Sequence, residues 1–287
     1  MDKHDRTVII TGGASGIGKS LAFQYGRNEY NVVIGDVEEP TLESTVSELR
    51  SEGILAVGIH TDVSDLESVE ALASASNDLF GPPSIVCLNA GVGAGGEMGE
   101  VSISTWQWVL SVNLWGVIHG LSVFLPTLQK QDSGHIVITS SIAGHLSYPR
   151  MGPYNASKHA VLTIAETLFF ELAEANSNVG VSVLCPGLVR TQILDSDRNR
   201  PETLMDATIA LSNEEQEIRE TIVREIYDQA LDPSIVAALV YDAVEANNFY
   251  IFTDDSFSDA LRERHRNIEN AQNPNPGANL IEEHLND

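Results

Sequence analysis

Tyr154 and Lys158 stand four residues apart in Tyr154-Asn155-Ala156-Ser157-Lys158-His159-Ala160, a segment of helical character, so both side chains project from one helix face. A phenol with an ordinary pKa of about 10 is a poor acid-base catalyst near neutrality, but a neighbouring ammonium favours the phenolate and lowers that value. Such a pair can pass a proton to or from an alcohol oxygen. With seven tyrosines and four lysines in 287 residues, roughly 0.1 pairs of this spacing arise by chance, so position has to decide what the pair means. Thirteen residues before Tyr154, Ser141 lies in Thr139-Ser140-Ser141-Ile142-Ala143-Gly144, just after an apolar run. A hydroxyl there can hold a substrate oxygen or merely satisfy a turn. On chemistry alone Ser140 serves as well, and only spacing favours Ser141.

Near the amino terminus, Thr11-Gly12-Gly13-Ala14-Ser15-Gly16-Ile17-Gly18 offers small residues whose backbone N–H groups can approach a pyrophosphate at the start of a helix. Glycines at 12, 16 and 18 depart from the G-x-G-x-x-G fingerprint. The overlapping string from Gly13 to Gly18, followed by Lys19-Ser20, matches the G-x-x-x-x-G-K-S loop of phosphate-hydrolysing enzymes, with Val33-Ile34-Gly35-Asp36 posing as a Mg²⁺-binding strand. The loop by itself therefore leaves a nucleotide hydrolase open. Asp36 comes 24 residues after Gly12, at a strand end where a carboxylate can accept hydrogen bonds from the adenine ribose hydroxyls. Its other reading is an ordinary turn aspartate, which the preceding glycine loop disfavours.

These groups need a scaffold that brings residues 12, 36, 141 and 154 to one place. Short apolar runs recur at Thr7–Ile10, Val32–Asp36, Ile54–Ile59, Ile85–Leu88, His135–Ile138, Val181–Leu184 and Phe249–Thr253, each reading as a buried strand. Helix-length segments such as Lys19–Glu29 and Thr41–Ser51 lie between them. Strand-helix alternation predicts a doubly wound, seven-stranded parallel α/β sheet in a single domain spanning 1–287, which binds ligands at the carboxyl ends of its strands. The last strand should follow a helix capped by Asp232, with Pro233 in its first turn. Two stretches break the alternation. Positions 192–225 read as an insertion, polar and mobile from Gln192 to about Ala210, with Ser212-Asn213-Glu214-Glu215 as a capping box for another helix. Positions 270–287 read as a carboxyl-terminal tail after Asn273-Pro274-Asn275-Pro276-Gly277.

Composition narrows the function. Sixteen basic against 41 acidic residues leave a formal charge of −25, which repels nucleic acid and anionic membranes. No apolar stretch in the sequence reads as membrane-spanning and the first residues lack a signal-peptide core, so a cytoplasmic location is expected. Cys87 and Cys185 both fall in apolar runs, where a reduced thiol acts as a small hydrophobe. His119, His135, His145 and His159 are scattered without companion ligands, so no metal site is expected.

In order and spacing, these residues resemble the short-chain dehydrogenase/reductase family from about Thr7 to Thr191. The likeness adds Asp62-Val63, Asn89-Ala90-Gly91, Asn113 and Pro186-Gly187-Leu188-Val189-Arg190-Thr191 to the motifs above. The family usually has two asparagines before the Ala-Gly pair, where this chain has Leu88-Asn89. The resemblance implies an NAD-dependent oxidoreductase acting on a secondary alcohol or ketone, with Tyr154 as proton donor and acceptor. Lys158 would bind the nicotinamide ribose, Ser141 would orient the carbonyl, and Asn113 would hold a water in a proton relay. It implies that Gly12, Ser15, Gly16, Ile17 and Gly18 cradle the cofactor, that Asp62 and Val63 lie near the adenine, and that Asn89, Ala90 and Gly91 line the site. Pro186 and Gly187 would do the same, with Val189 and Thr191 facing the carboxamide. Taken alone, Asn113 could equally satisfy a helix backbone, and Asp62 could cap the next helix. A phosphate hydrolase has no need of the added motifs, and an inactive NAD sensor has no need of a complete catalytic set. The resemblance further implies a homodimer or homotetramer through Trp106–Leu128 and Pro153–Ala175. The substrate pocket is expected from Gly93–Gly99, His145–Gly152 and the insertion, with Met98, Tyr148 and Met151 giving it an apolar or aromatic lining. Phe249–Thr253 with Arg262, Arg264 and Arg266 has a likeness to bacterial members that oxidise benzylic alcohols of aryl ethers, while steroid, sugar and aliphatic alcohols stay open.

Overall fold

Val8 and Ile10 point to one side of the first strand and Ile9 to the other, and all three are fully buried, so both faces of the sheet must be covered. The computed structural model, which describes residues 6–205 and 230–275, shows how. Strands β1 (Thr7–Thr11), β2 (Asn31–Asp36), β3 (Ala56–His60), β4 (Ile85–Leu88), β5 (His135–Thr139), β6 (Gly180–Cys185) and β7 (Tyr250–Phe252) form one sheet in the order β3-β2-β1-β4-β5-β6-β7. Every pairing is parallel. On one face lie α1 (Gly16–Arg27) and α2 (Glu39–Ser51), together with α7 (Pro233–Glu245), packing Leu21, Tyr25, Leu49, Val236 and Val240 on Val8 and Ile10. The opposite face carries α3 (Leu66–Phe80), α5 (Gly116–Gln131) and α6 (Gly152–Glu174), whose Leu72, Phe124, Leu128 and Val161 cover Ile9, Val86 and Ile136. The order reverses between β1 and β4, and a crevice opens there at the carboxyl ends of the strands.

Element ends differ from the sequence expectation where turn chemistry intervenes. Helix α1 starts at Gly16, inside the glycine loop, and ends at Arg27. The third strand starts at Ala56, because the Ile54 amide closes the end of α2 by donating to the Leu49 carbonyl at 3.1 Å. Asp232 does cap α7, accepting from the Ser234 amide at 2.9 Å. Helix α4 (Ile103–Leu110) runs through a π-helical turn, Ser111–Trp115, into α5. The resulting 29-residue helix is long and apolar enough to cross a membrane by length and composition, which corrects the expectation that no segment is. Its Trp108, Phe124 and Leu128 are buried within this fold. After β7 a further helix, α8 (Ser258–Glu269), precedes the tail. Of the insertion, Gln192–Asn199 and Glu202–Leu204 form short 3₁₀ turns. The capping box at Ser212–Glu215, the rest of the insertion and the chain from Pro276 on lie outside the described residues.

Candidate active site

The glycine loop is shaped by close approaches that side chains would block. Gly12 has φ +64°, and a Cβ there would sit 2.8 Å from the Ala90 Cα. A Cβ on Gly18 would strike the Gly12 carbonyl and the Asn89 amide, so a bare glycine lets α1 pack down on the loop. Asn89 fastens the other side: its amide nitrogen donates to the carbonyls of Thr11 (3.1 Å) and Gly12 (3.3 Å), and its backbone N–H donates to the Thr11 hydroxyl (3.0 Å). Asn89 thus shapes the loop as well as lining the site. Lys19, the residue that would make this a phosphate-hydrolysing loop, points away and pairs with Glu48 at 2.8 Å.

A cavity of about 710 Å³ runs from Asp36, along Gly12, Ser15, Gly16 and Ile17, to Ser141 and Tyr154. Asp62, Val63, Asn89, Ala90, Gly91, Lys158, Pro186, Gly187, Val189 and Thr191 also line it. Asp36 accepts the Ala14 amide (2.9 Å) and the Glu38 amide (3.1 Å), which aim its carboxylate along the loop and leave lone pairs for further donors. Burial raises its pKa above the ordinary carboxylate value, and these amides partly oppose that rise. Asp62 caps no helix. It closes a turn on Ser64, accepting from its amide at 2.9 Å and hydroxyl at 2.7 Å, while Asp65 caps α3.

At the other end, the strand order and the first turns of α6 bring Ser141, Tyr154 and Lys158 together. The Ser141 hydroxyl faces the Tyr154 phenol closely enough to favour its phenolate, donates to the Pro186 carbonyl at 3.4 Å and accepts the Ala143 amide at 3.1 Å. Ser140 is spoken for: its hydroxyl is buried and donates to the Lys158 carbonyl at 2.8 Å. The structure thus separates two serines that chemistry alone could not. Lys158 Nζ is 3 % exposed as a residue, donates to the Thr139 carbonyl at 3.0 Å and sits 5.5 Å from the centre of the Tyr154 ring. Burial lowers its pKa to about 8. Burial also raises the Tyr154 pKa, opposed by the Ser141 hydroxyl. The expectation that the ammonium depresses the phenol is therefore corrected for the protein without cofactor, because desolvation outweighs attraction across that distance.

Gly18 and Asn113 lie behind the cavity wall. Asn113, on the π turn, accepts the Val92 amide (2.8 Å) and donates to the Val92 carbonyl (2.9 Å) and the Ser157 hydroxyl (3.1 Å). It serves a neighbouring loop, not its own helix. A Cβ added to Gly91 would lie 3.4 Å from both Asn113 Oδ1 and Lys158 Nζ, so the two groups converge on that glycine. Of the expected pocket residues, Gly93 and Met151 line the cavity, whereas Tyr148 packs into a cluster with Ile142 and Phe257, and Met98 is 68 % exposed. Sequence reasoning missed Glu38, Trp108, Ser111 and Val112, all in the wall, where no motif announces them; Arg198 and Asn199 belong to the insertion expected to line the pocket, and they meet Glu38 beside Asp36.

The cavity, the loop and the serine-tyrosine-lysine set agree with what comparison finds. The family model described as short chain dehydrogenase matches residues 6–202. A C alpha-dehydrogenase from Sphingobium sp. is 32% identical over 252 residues, covering 87% of this chain and 81% of the relative. The crystal structure of a short chain dehydrogenase/reductase from Burkholderia phymatum in complex with NAD superposes with a TM-score of 0.89 at 40% identity, covering 96% of this chain and 98% of that one. An alcohol dehydrogenase from the archaeon Thermococcus sibiricus, complexed with 5-hydroxy-NADP, superposes with a TM-score of 0.70 at 26% identity, covering 86% and 95%. With its seven-stranded parallel Rossmann sheet and its loop-to-lysine motif order, this chain belongs to the short-chain dehydrogenase/reductase family of oxidoreductases.

Proposed function

We propose that the protein is an NAD-dependent oxidoreductase interconverting a neutral, largely apolar secondary alcohol and its ketone. One observation carries the reading: Ser141, Tyr154 and Lys158 meet at one end of a continuous cavity whose other end holds the Asp36 carboxylate. The residues present fit the dinucleotide. Gly12 and Gly16, with φ +64° and +53°, line the cavity in backbone conformations that L residues rarely adopt, where a Cβ would press on Ala90 or Thr191, and Lys158 spends one of its three N–H donors on Thr139, leaving donors for ribose hydroxyls. When bound, the nicotinamide supplies the hydride acceptor or donor and, oxidised, a positive charge.

The chain's own part is the proton. In alcohol oxidation Tyr154 takes the hydroxyl proton as phenolate; in ketone reduction it donates one. Ser141, beside the phenol, holds the substrate oxygen there. The Lys158 ammonium then supports the phenolate from below. Asn113 holds the Val92 segment and, through Ser157, the first turn of α6, which keeps Tyr154 in register. Asp36 selects the cofactor: its carboxylate suits two ribose hydroxyls and repels a 2′-phosphate, and neither Ser15 nor Val37 offers a cation to it. The cavity wall includes Val92, Ala94, Trp108, Ile142 and Met151, with Ile142 and Met151 packed beside Tyr154, which favours a hydrophobic substrate body.

The test is oxidation of a panel of neutral aryl, alicyclic and aliphatic secondary alcohols, followed by NADH absorbance, with Tyr154→Phe beside the unmodified protein. Turnover that falls at least ~10²-fold in the variant, with NADH binding retained, is expected. NADH binding without turnover of any alcohol or ketone would replace this reading by that of a cofactor sensor. We further propose that positions 192–225 act as a substrate lid and that the protein assembles as a homodimer or homotetramer in the cytoplasm.

A further inference from the structure

The described part of the insertion does not hang at the substrate end alone. It leaves Thr191, whose Cγ2 would lie 2.9 Å from a Cβ on Gly16, and so begins beside the glycine loop. Ser196 accepts the Gly93 amide at 2.9 Å. The chain then reaches the far end of the cavity, where Arg198 bonds Glu38 Oε1 through Nε (2.9 Å) and Nη2 (2.7 Å), and Asn199 Nδ2 reaches the same oxygen at 2.7 Å. Arg198 is itself held by the carbonyls of Gln192 (3.0 Å) and Asp195 (2.6 Å). Beyond it, Arg200 donates to the Thr105 hydroxyl at 3.0 Å on α4 and lies over the Trp108 ring. Residues 192–199 therefore form a strap across the space between the glycine loop and Asp36.

Glu38 joins two jobs. Its backbone N–H holds Asp36 Oδ1 at 3.1 Å, and its carboxylate holds the strap. Burial alone would raise that carboxyl, but hydrogen bonds from Asn199 and Arg198 bring it below the usual carboxylate range. The pair is three-quarters buried, with side chains 27 % and 20 % exposed, a setting in which two charge-assisted N–H bonds to one carboxylate oxygen count for more than an ordinary surface pair. Resting on the reading of the cavity as a nicotinamide dinucleotide site, we infer that Glu38 is a positioning residue that latches the strap over the bound cofactor through Arg198, so that cofactor dissociation requires this contact to break. Glu38 touches the strap and the Asp36 anchor; it has no part in the proton step.

The experiment measures NADH dissociation by stopped-flow fluorescence on the unmodified protein, Glu38→Gln, Arg198→Met and the double variant, with amide exchange of residues 192–199 followed in the same four proteins without cofactor. Gln still accepts from Asn199 through its carbonyl oxygen and can donate its amide N–H to the Thr41 hydroxyl, so the fold should persist with an unchanged melting temperature. Each single variant should release NADH ~10-fold faster, equivalent to about 1.4 kcal/mol, and exchange the strap amides faster, and the double variant should match the singles because the two residues act through each other. Release rates and exchange left unchanged by either substitution, or effects that add in the double variant, overturn the latch. Failure of the unmodified protein to bind NADH overturns the dinucleotide reading instead, and the exchange arm still decides whether Glu38 and Arg198 hold the strap.

Discussion

Replacing Lys158 by Met should inactivate the enzyme and make it more stable. The ammonium is buried, and its pKa falls from 10.5 to about 8, which corresponds to a penalty on the order of 3 kcal/mol for carrying the charge in the folded state at neutral pH. Met removes that penalty and fills much of the same volume, but it leaves the Thr139 carbonyl without its 3.0 Å partner, a loss of about 1–2 kcal/mol. The net gain is about 1–2 kcal/mol, a rise of roughly 2–3 °C in melting temperature for a chain of this size. The pH dependence has a definite sign. Below pH 8 the amine is charged in both folded and unfolded protein, and the penalty is felt in full. Between 8 and 10.5 the folded protein holds fewer protons than the unfolded one, so the stability of the unmodified protein rises with pH. Above 10.5 both states are neutral and the penalty is gone. Thermal unfolding of both proteins at several values between about pH 7 and 9.5 measures the gap, which should be largest at the low end and narrow by about 2 kcal/mol by the high end. A variant that melts lower than the unmodified protein near pH 7, or a gap indifferent to pH, would refute the argument that desolvation of Lys158 is uncompensated.

Three other outcomes are expected. Ser141→Ala should cut turnover at least ~10-fold with little change in melting temperature, whereas Ser140→Ala should cost about 1–2 kcal/mol of stability through its lost bond to the Lys158 carbonyl, as buried hydrogen bonds do; kinetics and melting of the two variants side by side check the division. Unmodified protein should prefer NAD over NADP by at least ~10²-fold in kcat/KM, about 2.7 kcal/mol, and Asp36→Ala should narrow that ratio chiefly by weakening NAD, with equal efficiencies in the unmodified protein placing Asp36 off the ribose. Gly12→Ala should abolish cofactor binding measured by NADH fluorescence, since its Cβ would press on Ala90 in a backbone conformation that L residues rarely adopt.

Much of this protein was legible along the chain because the signals are local. Unbroken apolar runs such as Val8-Ile9-Ile10 declare a sheet covered on both faces. The four-residue step from Tyr154 to Lys158 is a helical repeat, and the glycine loop declares itself by its own run of small residues. The cysteines too lie buried in β4 and β6 as their apolar neighbours require. What tertiary structure decided are relations between residues far apart in sequence. Ser140 and Ser141 are adjacent and alike, yet opposite directions along an extended backbone commit one to the Lys158 carbonyl and give the other to Tyr154. A π turn swings Asn113 onto Val92, and no pattern of residue types encodes that extra residue per turn. Desolvation sets the pKa of Tyr154 and Lys158 in opposite directions, an effect of everything packed around them and not of their spacing. Glu38 and Arg198 lie 160 positions apart, and each reads as an ordinary exposed charge until the folded chain lays one across the other, because sequence carries the chemistry of a side chain while only packing determines what it meets.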